Sequence, residues 1–204
     1  MPVDFFRVPC ANPAGNCTTY PFPCLANIPN PQFGITDETG DESTPARVDV
    51  ANSAIWDLTV VNNSGVVVTF KAVDWCVPIF RTGTYILEDE NRTENQFSSE
   101  NTGIGGNWIK RCEGFLHYDN KILFIEIKRK KKRPSEWIKD AREKFEETIL
   151  SFREHHPHLA NQIIKPIIVN TKYTGLAAPT EMVQKRILKD KIGVEFIRKT
   201  SITI

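Results

Sequence analysis

Lys110-Arg111-Cys112-Glu113-Gly114-Phe115-Leu116-His117-Tyr118, then Asp119-Asn120, then Lys121-Ile122-Leu123-Phe124-Ile125-Glu126-Ile127-Lys128, is the stretch whose reading decides the fold. Asp-Asn between two apolar-rich runs predicts a two-residue hairpin turn. With the turn at 119–120, Tyr118 faces Lys121, and counting outward along both strands brings Glu113 opposite Glu126. Directly opposed residues share one face of a sheet, with Cβ atoms about 5 Å apart. Lys128, two residues beyond Glu126, shares that face. Leu123, Ile125 and Ile127 form one apolar face, while Ile122 and Phe124 precede Glu126 on the other. The second strand is therefore expected inside a sheet, with Glu126 half-buried.

Two facing carboxylates repel, and a divalent cation relieves that repulsion. Mg2+ suits carboxylate oxygens and needs only one or two of them from the protein. An ammonium beside such a cation can hold or polarise a water, which equips a site for metal-assisted phosphodiester hydrolysis. A solvated Glu–Lys ladder gives the same E-x-K spacing. The apolar neighbours of Glu126 and the order of the downstream elements argue against that plainer reading.

An acid at the start of one strand, a tight hairpin and E-x-K on the next strand resemble the PD-(D/E)XK nuclease superfamily over about residues 108–200. The resemblance implies an α/β, restriction-endonuclease-like core, with a mixed central sheet flanked by helices and preceded by a β-rich N-terminal part. It implies that Glu113, Glu126 and Lys128 are catalytic. It implies that Glu113, Glu126 and the Ile127 carbonyl hold Mg2+ (or Mn2+) in a metal-dependent nuclease acting on DNA or RNA. Cys112 stands where the motif has Pro, and Glu113 where it has Asp. The extra acid that many members carry on a preceding helix has no evident counterpart, Glu94 and Glu100 being nearest. The alternative is a catalytically inactive module of this fold that binds nucleic acid or a protein partner.

Charge divides the chain in the same place. Residues 1–107 carry 5 Lys or Arg against 13 Asp or Glu, and residues 108–204 carry 21 against 12. This suggests an acidic, β-rich N-terminal region and a basic α/β core, the latter attracting a polyanion such as DNA. Lys110, Arg111 and the run Arg129-Lys130-Lys131-Lys132-Arg133 are the expected phosphate contacts, since such cations bind nucleic acid by releasing counterions. A homodimer would suit cutting of both strands of a duplex. No apolar run of about 18 residues predicts a membrane span. The N-terminus lacks the pattern of a secretory signal, so the cytoplasm is the expected location. Five cysteines, with Cys10, Cys17 and Cys24 seven apart, read as ordinary thiols rather than a zinc site.

Elsewhere, Ile55–Val61 and Val66–Val73 around Asn62-Asn63-Ser64-Gly65 predict a β-hairpin. Ile138, Ala141, Phe145, Ile149 and Phe152 predict an amphipathic helix after Pro134, capped by Ser135 and ending near His155-His156-Pro157. A strand over 163–170, a short helix over 181–188 and a last strand through Ile192, Val194 and Phe196 follow.

Overall fold

The computed structural model describes residues 3–7, 23–37, 45–74, 76–77, 79, 85–86, 93–94, 110–173, 175 and 179–204. Cys10, Cys17, Glu100 and the Glu94 side chain lie outside them. The elements are β1 (Leu25–Ile28), β2 (Gln32–Thr36), β3 (Arg47–Asp49), β4 (Leu58–Val61), β5 (Val68–Ala72), β6 (Tyr85–Ile86) and β7 (Thr93–Glu94), then β8 (Gly114–Tyr118), β9 (Lys121–Ile127), α1 (Pro134–His155), β10 (Ile167–Val169), α2 (Pro179–Ile192), β11 (Ile197–Arg198) and β12 (Ser201–Thr203).

The β8–β9 hairpin forms as the sequence predicts, with Tyr118 opposite Lys121 and Gly114 opposite Ile125. Asp119 and Asn120 take φ of 45° and 56°. Two positive-φ residues give the turn a twist that matches its strands, and Asp and Asn tolerate that region better than most side chains. The hairpin is the centre of a six-stranded mixed sheet ordered β1-β5-β8-β9-β10-β11. Its first four strands are antiparallel, and β9, β10 and β11 are parallel. A second sheet, ordered β12-β4-β2-β3, contains strands from both ends of the chain. The N-terminal and C-terminal segments thus share both sheets.

Two cores hold these layers together. On one face of the large sheet, Phe115, Ile122, Phe124 and Ile168 meet the α1 stripe of Ile138, Ala141, Phe145, Ile149 and Phe152, with Leu188 and Ile192 of α2. Each such side chain contributes about 1.5–3 kcal/mol when fully buried. On the other face, Leu116, Leu123, Ile125 and Val169 meet Phe33, Ile35, Leu58 and Val60 of the second sheet. The fold is therefore α/β with mixed sheets and flanking helices. Both helices take one side, and a sheet takes the other.

Three local expectations fail for physical reasons. The runs around 62–65 are strands but not a hairpin: β4 and β5 lie in different sheets. Leu58, Val60, Val68, Phe70 and Ala72 all enter the inter-sheet core, so the runs meet face to face. Asn62 holds the crossover, its amide donating to the Val66 carbonyl at 2.7 Å. Helix α1 is capped by Arg133 at φ 54° with no side-chain bond, not by Ser135, because Pro134 opens it at the first position without needing an N–H. Ile192 ends α2 rather than starting a strand. Gly193 at φ 78° stops the helix, its N–H bonded to the Lys189 carbonyl at 2.8 Å.

Candidate functional site

Glu113 precedes β8 by one residue. Its carbonyl accepts the Val73 N–H at 2.9 Å, which pins it to the end of β5. Continuing the hairpin register by one pair sets it against Glu126 of β9. Both lie on the sheet face that α1 covers. Glu126 is fully buried and Glu113 is 7% exposed. Lys128, whose N–H donates to the Val169 carbonyl at 2.7 Å, points to the same face. Its ammonium is 2.7 Å from Glu126 Oε1. The three residues that the hairpin register singles out therefore form one cluster at the end of β9, with Glu126 more deeply buried than expected.

Helix α1 adds two residues one turn apart that the sequence did not assign to the site. Lys144 reaches down to lie 3.0 Å from Glu126 Oε1 and 3.9 Å from Glu113 Oε1. Asp140 Oδ2 accepts from Lys128 Nζ at 2.7 Å, and its Oδ1 from Lys110 Nζ at 3.1 Å. The signal was present: 140 and 144 stand four apart beside the buried stripe positions 137, 141 and 145, so they flank the seam between helix and sheet. Glu126 Oε2 is buried without a hydrogen-bond partner.

These contacts set the charge states. Burial first, and then Glu126, push the Glu113 carboxyl well above its ordinary range, against the pull of Lys144. Burial opposes the charge on Asp140, but Lys128, Lys110 and Lys144 outweigh it and hold the carboxyl at about 2. Burial also opposes the Lys144 ammonium, and Glu126 and Glu113 more than offset it, so its pKa is raised. Lys128 is raised in the same way by Glu126 and Asp140, against burial and Lys144. The Cys112 thiol is fully buried and pushed up by burial and then Glu126, and its N–H donates to Thr148 Oγ1 at 2.9 Å. It is an inert filler of the position before the acid.

The expected phosphate contacts separate into two groups. Arg111 is a correction: it is 7% exposed, ion-paired with Asp74 at 2.9 Å and bonded to the Val77 carbonyl at 3.0 Å, so it holds the core and not a ligand. Arg129 grips Asp57 with two nitrogens at 2.9 and 2.6 Å, tying the end of β9 to the second sheet. Lys110 is half-exposed and bound to Asp140 and to Glu143. Lys130, Lys131, Lys132 and Arg133 are exposed. With Lys128, Trp137 and Asp140 they line a groove of about 470 Å3 beside the acid pair.

Glu113 and Glu126 suit a hard cation by donor type, and the orphaned Glu126 Oε2 is spare donor capacity. Among the described residues no group of three or more His, Cys, Asp or Glu side chains is placed to hold a metal. A cation here would rest on these two side chains and on backbone. No helix among the described residues is long and apolar enough to cross a membrane. Comparison with protein-family models, curated proteins and solved structures found no match to the chain.

Proposed function

We propose that the chain is a metal-dependent nuclease with a restriction-endonuclease-like core of the PD-(D/E)XK type, hydrolysing phosphodiester bonds of DNA or RNA. The observation that carries this reading is the convergence of Glu113, Glu126 and Lys128 in one buried cluster beside exposed cations. The parallel pairing of β10 with β9, after the intervening helix, supports this reading by making the central sheet mixed, as the resemblance implies. Glu113, Glu126 and the Ile127 carbonyl would hold Mg2+ (or Mn2+), which when bound lowers the pKa of a water and polarises a phosphate. Lys128 aligns the attacking water and offsets charge growing on the phosphate. Lys130, Lys131, Lys132 and Arg133 hold the flanking backbone by contacts that ignore sequence. A second copy of the chain is the simplest route to cutting both strands of a duplex.

The test is cleavage of a plasmid and of a single strand with Mg2+, Mn2+ or EDTA, beside Glu126→Gln. Metal-dependent cutting that disappears in the folded variant is expected, and cutting that survives in it refutes the assignment. A second reading, a non-catalytic nucleic-acid-binding module, draws on Lys144, whose ammonium already offsets the acid pair. It predicts salt-sensitive binding without cutting in the same assay.

A further inference from the structure

On the other side of the residue 128–130 segment lies a second cavity, of about 340 Å3, lined by Trp56, Asp57, Arg129, Thr171 and Lys172 with Ala54 and Ile55. Trp56 is half-buried and held at its ring nitrogen and on one ring face. Its Nε1–H donates to Asp49 Oδ1 at 2.8 Å. That carboxylate oxygen also accepts the N–H groups of Ala51 and Asn52, at 3.1 and 2.7 Å, which fixes the loop leading to Trp56. Behind Trp56 stands Gly34 of β2. A Cβ placed there would be 1.9 Å from Trp56 Cγ and almost equally far, 2.2 and 2.3 Å, from Cδ2 and Cδ1. A point nearly equidistant from those three atoms lies over the face of the ring, not at its edge. Gly34 is thus the one residue type that lets the indole lie flat on the sheet. Phe33 and Ile35 point the other way, into the inter-sheet core. One face of the indole is spent on Gly34, and the half-buried ring also lines the cavity.

We propose that this cavity is a subsite for an unpaired nucleobase, stacked on Trp56, with its phosphate toward the exposed Lys172. The proposal rests on the nucleic-acid reading above and gives it a substrate class, a single strand or a locally opened one. A rigid aromatic face beside an exposed cation is a combination that binds single strands, because every base has a π-face and every linkage a charge. Thr171 and Lys172 are exposed. Arg129, clamped on Asp57, keeps its guanidinium at the cavity wall. Arg129 follows Lys128 in sequence but turns to the opposite face, so a base seated here lies across the end of β9 from the acid pair. The acidic N-terminal region thereby gains a role in binding, since the platform comes from residues 49–57 and the chemistry from β8 and β9.

The experiment is fluorescence anisotropy in EDTA at low salt. The probes are a labelled oligothymidylate, an oligouridylate, a duplex, and an abasic strand with the same number of phosphates. Trp56→Leu should weaken both base-bearing single strands about tenfold and leave the abasic strand unchanged, whereas Trp56→Phe should retain most of the affinity. Thr171→Trp, at an exposed loop position, should fill the cavity and give the same selective loss, which keeps the test decisive if Trp56→Leu misfolds. Equal binding of abasic and base-bearing strands by the wild type overturns the base subsite. So does unchanged binding in Trp56→Leu and Thr171→Trp while the combined Lys130→Ala, Lys131→Ala, Lys132→Ala variant weakens every strand; in that case the nucleic-acid reading stands. Wild-type protein that binds none of the probes overturns both.

Discussion

Lys144 Nζ sits 3.0 Å from Glu126 Oε1, and Lys128 Nζ approaches the same oxygen to 2.7 Å. Two ammoniums on one carboxylate oxygen leave Glu126 Oε2 without a partner in a fully buried side chain. Two opposed glutamates, taken by themselves, call for a divalent cation. The helix answers part of that demand with its own cation, so repulsion between the acids does not by itself require a metal. A metal bound there would compete with the Lys144 ammonium for the space between Glu113 and Glu126.

Replacing Lys144 by Met should therefore have opposite effects on stability and on metal affinity. Removing one of the two cations leaves Lys128 on Glu126 but strips Glu113 of its cation, so the loss should fall below the roughly 3–5 kcal/mol of a buried charge left wholly unpaired. Urea denaturation without metal should show that loss. Titration calorimetry with Mn2+ should show tighter binding than in the wild type, and Mn2+ should restore more stability to the variant than to the parent. Weaker Mn2+ binding in Lys144→Met would identify Lys144 as a support of the metal site and not its competitor.

Glu113 gives a prediction with a definite sign in pH. Its folded pKa is raised, by burial and then by Glu126, so the folded state favours its protonated form. Stability linked to this group is fully present below the unfolded value of about 4.3 and is lost as pH rises through the raised folded value. Glu113→Gln should match the wild type in melting temperature near pH 4 and exceed it near pH 8. The same substitution should abolish cleavage, as expected where a site carries a strained charge for function. A variant that is less stable than the wild type at pH 8 would show that the Lys144 contact outweighs burial.

Much of this was legible because the hairpin has a two-residue turn. A two-residue loop fixes register, and register fixes which side chains face each other, so Asp119-Asn120 placed Glu113, Glu126 and Lys128 together without any tertiary knowledge. The α1 stripe was legible for a similar reason, since its period is local. What failed was partner choice. The β-branched runs at 58–61 and 68–72 read correctly as strands, but alternation does not say whether two strands pair by their edges or stack by their faces. Lys144 and Asp140 were missed as site residues because their roles depend on how α1 lies across β9. Arg111 was misassigned because a basic residue beside a motif looks exposed until Asp74, 37 positions earlier, is brought against it.

Arg129 separates a structural from a phosphate-binding role. Its two bonds to Asp57 join the end of β9 to the second sheet, and Asp57 is 4% exposed. Arg129→Ala should destabilise the fold by about 3 kcal/mol through the stranded carboxylate. Arg129→Lys should recover only part of this, since an ammonium cannot grip both oxygens in a planar fork. Asp57→Asn in the Arg129→Ala background should cost little more, as a double-mutant cycle of chemical melts would record. Additive losses in that cycle would remove the pair as a link between the two sheets.

Gly114 tests whether the position of the acid, and not only its presence, matters. A Cβ at Gly114 would stand 2.5 Å from the Lys71 carbonyl oxygen and 2.9 Å from Phe70 Cε2. Backbone cannot yield as a flexible side chain does, so Gly114→Ala must push β8 away from β5 where Ala72 pairs with it. Overpacking of this kind costs about 1–3 kcal/mol. Because the Glu113 carbonyl is tied to Val73 at 2.9 Å, the same push also shifts the acid. Displacements near 1 Å cost about a hundredfold in rate, so cleavage measured well below the melting point should fall far more than stability does. Gly65→Ala is the matched control. Gly65 has φ 69° with nothing within 4 Å of the added methyl, so an alanine there would carry backbone strain without a clash, in the crossover between β4 and β5. It should lower the melting temperature and leave cleavage of the folded protein unchanged. Equal losses of cleavage in the two variants would mean that stability alone, and not the placement of Glu113, sets the rate.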